Sequence, residues 1–322
     1  GLRLFALKEF KLDQQATLVR NEKYWAQKPH LDGVVFRPVS DGNQAVNALR
    51  TGEVNVATSL TGEAVQVARD DDTVKLLEMP GLHVSYLYFN MVNGPTKDPK
   101  VREALIKAVN VEELTGGVYQ YGEAVPASLP LPPGSWGYDE AVKAEVPTYD
   151  PEAAKALLAE AGVSDLHLKL TCAENTNRLN EATIIQDMLA QVGITVEIQS
   201  YEAGTFYDMV DAGETEIFLI GFGAVGFPEP DNNIYGPFNS KQIPTNNMGF
   251  YSDPEMDKML EAQRNTSDGP EREQIIKDIQ KYLRVNLPVI PVANTEQVLG
   301  IRSNVKGFVP TPAGSHFFQN VH

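Results

Sequence analysis

VREALIKAVNVEELTGGVYQY (101–121) leads into VPASLPLPPGSWGY (125–138) and then YDPEAAKALLAEAG (149–162). Val101, Leu105, Ala108 and Val109 recur at spacings of three and four, which puts an apolar stripe on one helical face with Glu103, Lys107, Glu112 and Glu113 mostly off it. Gly116 and Gly117 are expected to stop or loosen that helix. Residues 126–133 hold four prolines in eight positions. The missing backbone donors predict an extended surface arm there. Asp150 stands where an N-cap belongs and Pro151 at the first helical position. Ala153, Ala154, Leu157, Leu158 and Ala161 then fill the apolar face up to a Gly162 stop.

Upstream, ATLVRN, VVFRPV, NQAVNALRTG and EVNVAT, all within residues 10–58, alternate short strands with one helix and read as a βαβ-like unit. Met79-Pro80-Gly81 is expected to break the chain before the strand HVSYLYFN, which Asn90 ends; its side chain suits a turn cap as well as a ligand contact. Downstream come LHLKLTC, a helix over 178–191 buried through Ala182, Ile185, Met188 and Leu189, then GITVEIQSY, a short helix at 207–211, and EIFLIGFG. A last helix, PEREQIIKDIQKYLRVN, packs through Ile275, Ile276, Ile279 and Leu283, and residues 287–292 return the chain. Strands alternating with helices predict an α/β fold with a parallel or mixed sheet covered on both faces.

The chain has 322 residues and a formal net charge of −16. That length buries a large core and suits two lobes. The negative charge and the lack of a basic stripe argue against nucleic acid as a partner. No apolar run reaches membrane-spanning length, and residues 1–7 are too short an apolar stretch to read as a secretory signal. One cysteine, Cys172, allows no internal disulfide and reads as a small buried hydrophobe, and the five histidines show no zinc spacing. No GxSxG, HExxH or paired-carboxylate pattern nominates a catalytic residue. The reading therefore calls for no enzyme activity, metal or cofactor.

The strongest site candidate is the loop GFGAVGFPEPDNN (221–233), which leaves a strand end where open α/β sheets gather ligands. Gly221 and Gly223 permit close backbone approach, so an extended ligand could pair with them as an added strand. Phe222 and Phe227 are candidate pocket walls, and Glu229 and Asp231 candidate counter-charges. His83, Asn90, Tyr235, Asn294 and Gln297 complete the ligand-binding candidates. No strand-to-helix phosphate loop follows the GxG.

Taken in order, VREAL, PPGSWGY and YDPEAAKALLAEAG resemble the family 5 extracellular solute-binding proteins, which serve ABC importers of oligopeptides, dipeptides and nickel. Arg20-Asn21, Tyr24-Trp25 and the Gly-Glu-Val at 52–54 fit the same family, with Asn55 in place of its usual aspartate. The resemblance implies periplasmic-binding-protein-like lobes (type II, cluster C), the first from residues 1–83 plus 292–322 and the second from 84–291. It implies capture of a peptide or similar small solute between the lobes and delivery to ABC permease subunits, at the periplasmic or extracellular face of a membrane, whether as a free protein or a lipoprotein. A secreted hydrolase, or a binder of a sugar or metal chelate, is the alternative. In the family's loop an aspartate pairs with the ligand's α-amino group; here Phe222 takes the place of a tryptophan and Val225-Gly226 that of the aspartate. The resemblance also implies that the chain lacks a small lobe and one edge of the first lobe's sheet, with an exposed sheet edge as a consequence.

Overall fold

The computed structural model describes residues 3–39, 41–144, 149–223, 229–286, 288–312, 314 and 316–322. The chain forms two compact units, Gly1–Met79 with Glu296–His322, and Pro80–Thr295. In the first unit, strands β1 (Phe5–Lys11), β2 (Gln15–Arg20) and β3 (Gly33–Phe36) form an antiparallel sheet. Helix α1 (Gly42–Thr51) starts where the Asp41 carboxylate accepts the Gln44 N–H and stops at Gly52, whose φ of 79° suits a residue without Cβ. Strand β4 (Val56–Ala57) and helix α2 (Glu63–Arg69) follow. The predicted βαβ unit is not formed. β3 pairs with β2, whereas β4 pairs antiparallel with Gly300 and Ile301 far along the chain, so the strands flanking α1 belong to different sheets.

Strand β5 (Val74–Phe89) carries the chain into the second unit. It passes straight through Met79-Pro80-Gly81, where the sequence predicted a break. A single proline removes one donor, which a strand tolerates when its other groups remain paired. The predicted helix at 101–121 is two helices, α3 (Pro99–Ala108) and α4 (Val111–Val118). Asn110 separates them by accepting the Glu113 N–H through its side chain, and Gly116 and Gly117 lie inside α4 rather than ending it.

The proline-rich arm opens as strand β6 (Ala124–Pro126), paired with residues 293–295. It is not a surface arm: Ala127, Leu129 and Leu131 are buried, and the Pro130 carbonyl accepts from the Tyr86 hydroxyl at 2.9 Å. Prolines fix the extended path while the residues between them supply apolar side chains, which makes the arm a good core filler.

Helices α5 (Glu140–Ala144) and α6 (Pro151–Glu160) lead into β7 (His167–Ala173), α7 (Thr176–Ala190), β8 (Thr195–Tyr201), α8 (Ala203–Asp211) and β9 (Ile217–Gly223). As predicted, Asp150 caps α6, accepting the Ala153 N–H at 2.9 Å. Helices α9 (Asp231–Phe238), α10 (Pro254–Asn265) and α11 (Pro270–Asn286) precede the return strand β10 (Val289–Arg302). The sheet is mixed: β9 lies between antiparallel β5 and parallel β7, with β8 parallel beyond β7. One face carries Leu87, Phe89, Leu170, Cys172 and Leu219 against α3, α4 and α7. The other carries Tyr86, Tyr88, Phe218 and Ile220 against α8 to α11. Strand alternation divides consecutive residues between these two cores. Among the described residues, no helix is long and apolar enough to cross a membrane.

Candidate functional site

β9 runs beyond its partner β7. The parallel register ends at Cys172↔Leu219, while β9 stays paired with β5 through Ser85↔Gly221 and His83↔Gly223. Residues 220–223 therefore have, among the described pairings, no strand on the β7 side. This is the place, outside the carboxyl ends of adjacent parallel strands, where open α/β sheets hold ligands.

Directly opposed residues of an antiparallel pair share a face, so His83 and Ser85 lie with Gly221 and Gly223. A Cβ on Gly221 would collide with the His83 ring and stand 3.0 Å from Arg178 Nη2; one on Gly223 would stand 2.8 Å from the His83 Cα. Both glycines are thus required by close approach. Arg178, in the first turn of α7, donates through Nη1 to the Ser85 hydroxyl and to Glu181 at 2.7 Å. Glu181 is fully buried and accepts also from the Tyr119 hydroxyl at 2.8 Å and from Ser85 at 3.2 Å. The result is a buried carboxylate with three donors beneath a guanidinium whose side chain retains 18% exposure.

Burial first, and the Arg178 charge second, push the His83 imidazole down from its ordinary 6.5 to about 4. The unfolded chain then binds more protons than the folded one between those pH values, so stability is full above about 6.5 and falls as the pH drops toward 4. Lowering the pH from 7 to 4.5 should cost wild type about 2 kcal/mol more than it costs His83→Asn, by urea unfolding. Parallel pH profiles for the two proteins would overturn the assignment.

Of the remaining candidates, Phe222 packs beside Tyr88, with ring centroids 6.1 Å apart, in the second core. Phe227 lies outside the described residues. Glu229 and Asp231 are committed to arginines: Glu229 to Arg272 at 2.6 Å, and Asp231 to Arg264 in a fork at 2.9 and 2.6 Å. Tyr235 is buried, donates to Glu261 at 2.9 Å and lies beneath the Arg264 guanidinium. Asn90 spends its whole side chain on a turn, donating to the Gly213 and Thr215 carbonyls and accepting from the Val92 and Asn93 N–H groups. Asn294 is buried on β10 with its Oδ1 unpartnered among the described residues, and Gln297 belongs to the other unit. The structure thus groups His83, Gly221 and Gly223, and leaves Glu229, Asp231, Tyr235 and Asn90 in contacts of their own.

Arg178, Glu181, Ser85 and Tyr119 did not emerge from the sequence. A signal for two of them was present, because Arg178 and Glu181 extend the buried stripe Ala182, Ile185, Met188 and Leu189 at the same helical spacing. Two opposite charges on an apolar face mark a buried pair. A cavity of about 790 Å³ lies elsewhere in the second unit, walled by Val109, Leu129, Leu283 and Ile290, and none of the predicted residues lines it.

A two-faced α/β sheet whose neighbouring parallel strands part at their carboxyl ends defines a scaffold of the solute-holding class. The chain belongs to the bacterial extracellular solute-binding proteins, family 5, whose middle region matches residues 4–245. It is 32% identical, over 331 aligned positions, to the dipeptide-binding protein of Escherichia coli (strain K12), covering 100% of this chain and 61% of that protein. Among solved structures, DppA from Helicobacter pylori in complex with the peptide STSA superposes with a TM-score of 0.85 at 30% identity, over 99% of this chain and 62% of that one. The dipeptide-binding protein of Pseudoalteromonas sp. SM9913, in complex with Met-Leu, gives 0.83 at 25% identity, over 99% and 64%. The chain thus spans about three fifths of the length of these relatives.

Proposed function

We propose that this chain is part of the solute-capturing component of an ABC importer and that its solute is a short peptide, passed to permease subunits in the membrane. The observation that carries the reading is the β9 edge at 220–223, which among the described residues has no strand on its β7 side, with Arg178 beside it. An extended peptide supplies the backbone hydrogen bonds that this edge lacks, as an added strand does. Arg178 has one nitrogen engaged by Glu181 and a second turned toward Gly221, which suits a peptide carboxylate. Relatives named for dipeptide and peptide binding support the same class of solute, and their names describe binding proteins rather than enzymes.

Isothermal titration of Met-Leu, with the C-terminal amide Met-Leu-NH₂ alongside, tests the reading. The expected result is a one-to-one complex with Met-Leu that weakens about tenfold for the amide, because a charge-assisted hydrogen bond is lost. Failure of Met-Leu and of a wider di- and tripeptide panel to bind, or release of free amino acids detected by mass spectrometry, would sink it.

A further inference from the structure

The fold uses the two oxygens of Glu181 differently. Oε2 accepts from Arg178 Nη1 at 2.7 Å, whereas Oε1 accepts from the Tyr119 hydroxyl at 2.8 Å and from the Ser85 hydroxyl at 3.2 Å. A guanidinium beside a carboxylate commonly forks it, with one nitrogen on each oxygen. Arg264 makes that fork with Asp231 in the same unit. Arg178 does not, because two donors already fill the acceptor sites of Glu181 Oε1. Its Nη1 is shared between Glu181 and the Ser85 hydroxyl, and its Nη2 has no partner among the described residues. Nη2 is the nitrogen beside the β9 edge, 3.0 Å from where a Gly221 Cβ would stand.

Tyr119 owes its reach to α4. It stands at the C-terminal cap of that helix, its N–H bound to the Thr115 carbonyl at 2.9 Å, and its ring lies in the core that also holds Leu87 and Leu170. α4 comes close against α7 at Gly117, where an added Cβ would stand 2.9 Å from Ile184 Cδ1. Gly117 thus lets the two helices approach. Two residues on, a tyrosine hydroxyl meets a buried carboxylate 62 positions away in sequence.

We propose that Tyr119 is a positioning residue for recognition of the peptide carboxylate. By occupying Glu181 Oε1 it confines Arg178 to a single contact with Glu181 and leaves Nη2 turned to the ligand. The proposal rests on the peptide-binding reading above. Without the hydroxyl, Oε1 has an acceptor site open and the guanidinium turns to fork both oxygens. A ligand carboxylate then meets a guanidinium already paired through two nitrogens, and one of those bonds must break before its own can form. Tyr119 therefore acts through Glu181 and Arg178, not by contact with the ligand.

The experiment titrates Met-Leu and Met-Leu-NH₂ into wild type and Tyr119→Phe by isothermal calorimetry. Wild type is expected to prefer the carboxylate about tenfold, and Tyr119→Phe to narrow that preference to about twofold through weaker Met-Leu binding, with the amide unchanged. Phenylalanine keeps the ring in the core, and a purely structural loss would weaken both ligands alike. Ser85→Ala, which removes the other donor from Oε1, should narrow the preference in the same direction, and an undiminished preference there overturns the proposal. The crystal structure of ligand-free Tyr119→Phe should show Arg178 on both Glu181 oxygens. If wild type shows the preference and Tyr119→Phe keeps it in full, or weakens both ligands equally, the proposal is overturned while peptide binding stands. If wild type binds both ligands equally, the carboxylate role of Arg178 falls and the proposal with it. If it binds neither, the peptide reading falls as well.

Discussion

Arg178→Met is expected to lower the stability of the second unit by about 3–5 kcal/mol, because it strands Glu181, a fully buried carboxylate, without its counter-charge. The methionine fills similar space and keeps the aliphatic stem, so lost packing contributes little. What remains is a carboxylate with two neutral donors, Tyr119 and Ser85, which do not replace a cation at 2.7 Å. Thermal unfolding should show a drop on the order of 10 °C for a unit of this size. The double variant Arg178→Met/Glu181→Leu should recover much of the loss, since removing both partners of a buried pair is often nearly neutral. A single-variant cost below about 1 kcal/mol would mean that water already reaches Glu181. Ligand affinity separates the roles: the double variant should regain stability and still fail to bind Met-Leu tightly.

Asn90→Ala should cost about 3 kcal/mol. The side chain is completely buried and makes four hydrogen bonds, at 3.0 and 2.7 Å to the carbonyls of Gly213 and Thr215 and at 2.9 Å from each of the Val92 and Asn93 N–H groups. Truncation leaves buried backbone groups unsatisfied on two segments that lie more than a hundred residues apart in sequence. Asn90→Asp discriminates further. It keeps the two accepted bonds but turns a carboxylate oxygen toward two carbonyls, so it should be at least as damaging as alanine at neutral pH and recover as the pH falls. Urea unfolding of the three proteins checks the order. A neutral Asn90→Ala variant would show that the turn holds without its side chain. Peptide affinity, measured where the variants are folded, should not change, because no atom of this side chain is left for a ligand.

Local chemistry was legible in the chain wherever neighbours in sequence are neighbours in space. The Asp150-Pro151 start, the 178–191 stripe and the final helix at 270–286 all follow from spacing and caps that a helix satisfies within itself. The Gly221–Gly223 strand end was visible for the same reason, since a glycine pair after an apolar run marks close approach. Helices α9 and α10 were missed, because α9 contains Gly236 and Pro237 and α10 is mostly polar. Packing against the second core stabilises them where intrinsic preference does not.

By itself, the sequence determined the class of fold, several of its helices and strands, and the family, because periodicity and capping are local and a long ordered match is specific. Only the tertiary structure decided which polar groups remain available. Glu229 and Asp231 read as possible ligand counter-charges until Arg272 and Arg264, 43 and 33 residues away, were found to neutralise them. The proline arm read as surface until Leu129 and Leu131 were found in the core, and Pro80 read as a break until β5 was seen to run through it. In each case the deciding energy is that of a partner brought in by the fold, through ion pairing, apolar burial or a strand ladder, and such partners leave no mark on the residues next to them in the chain.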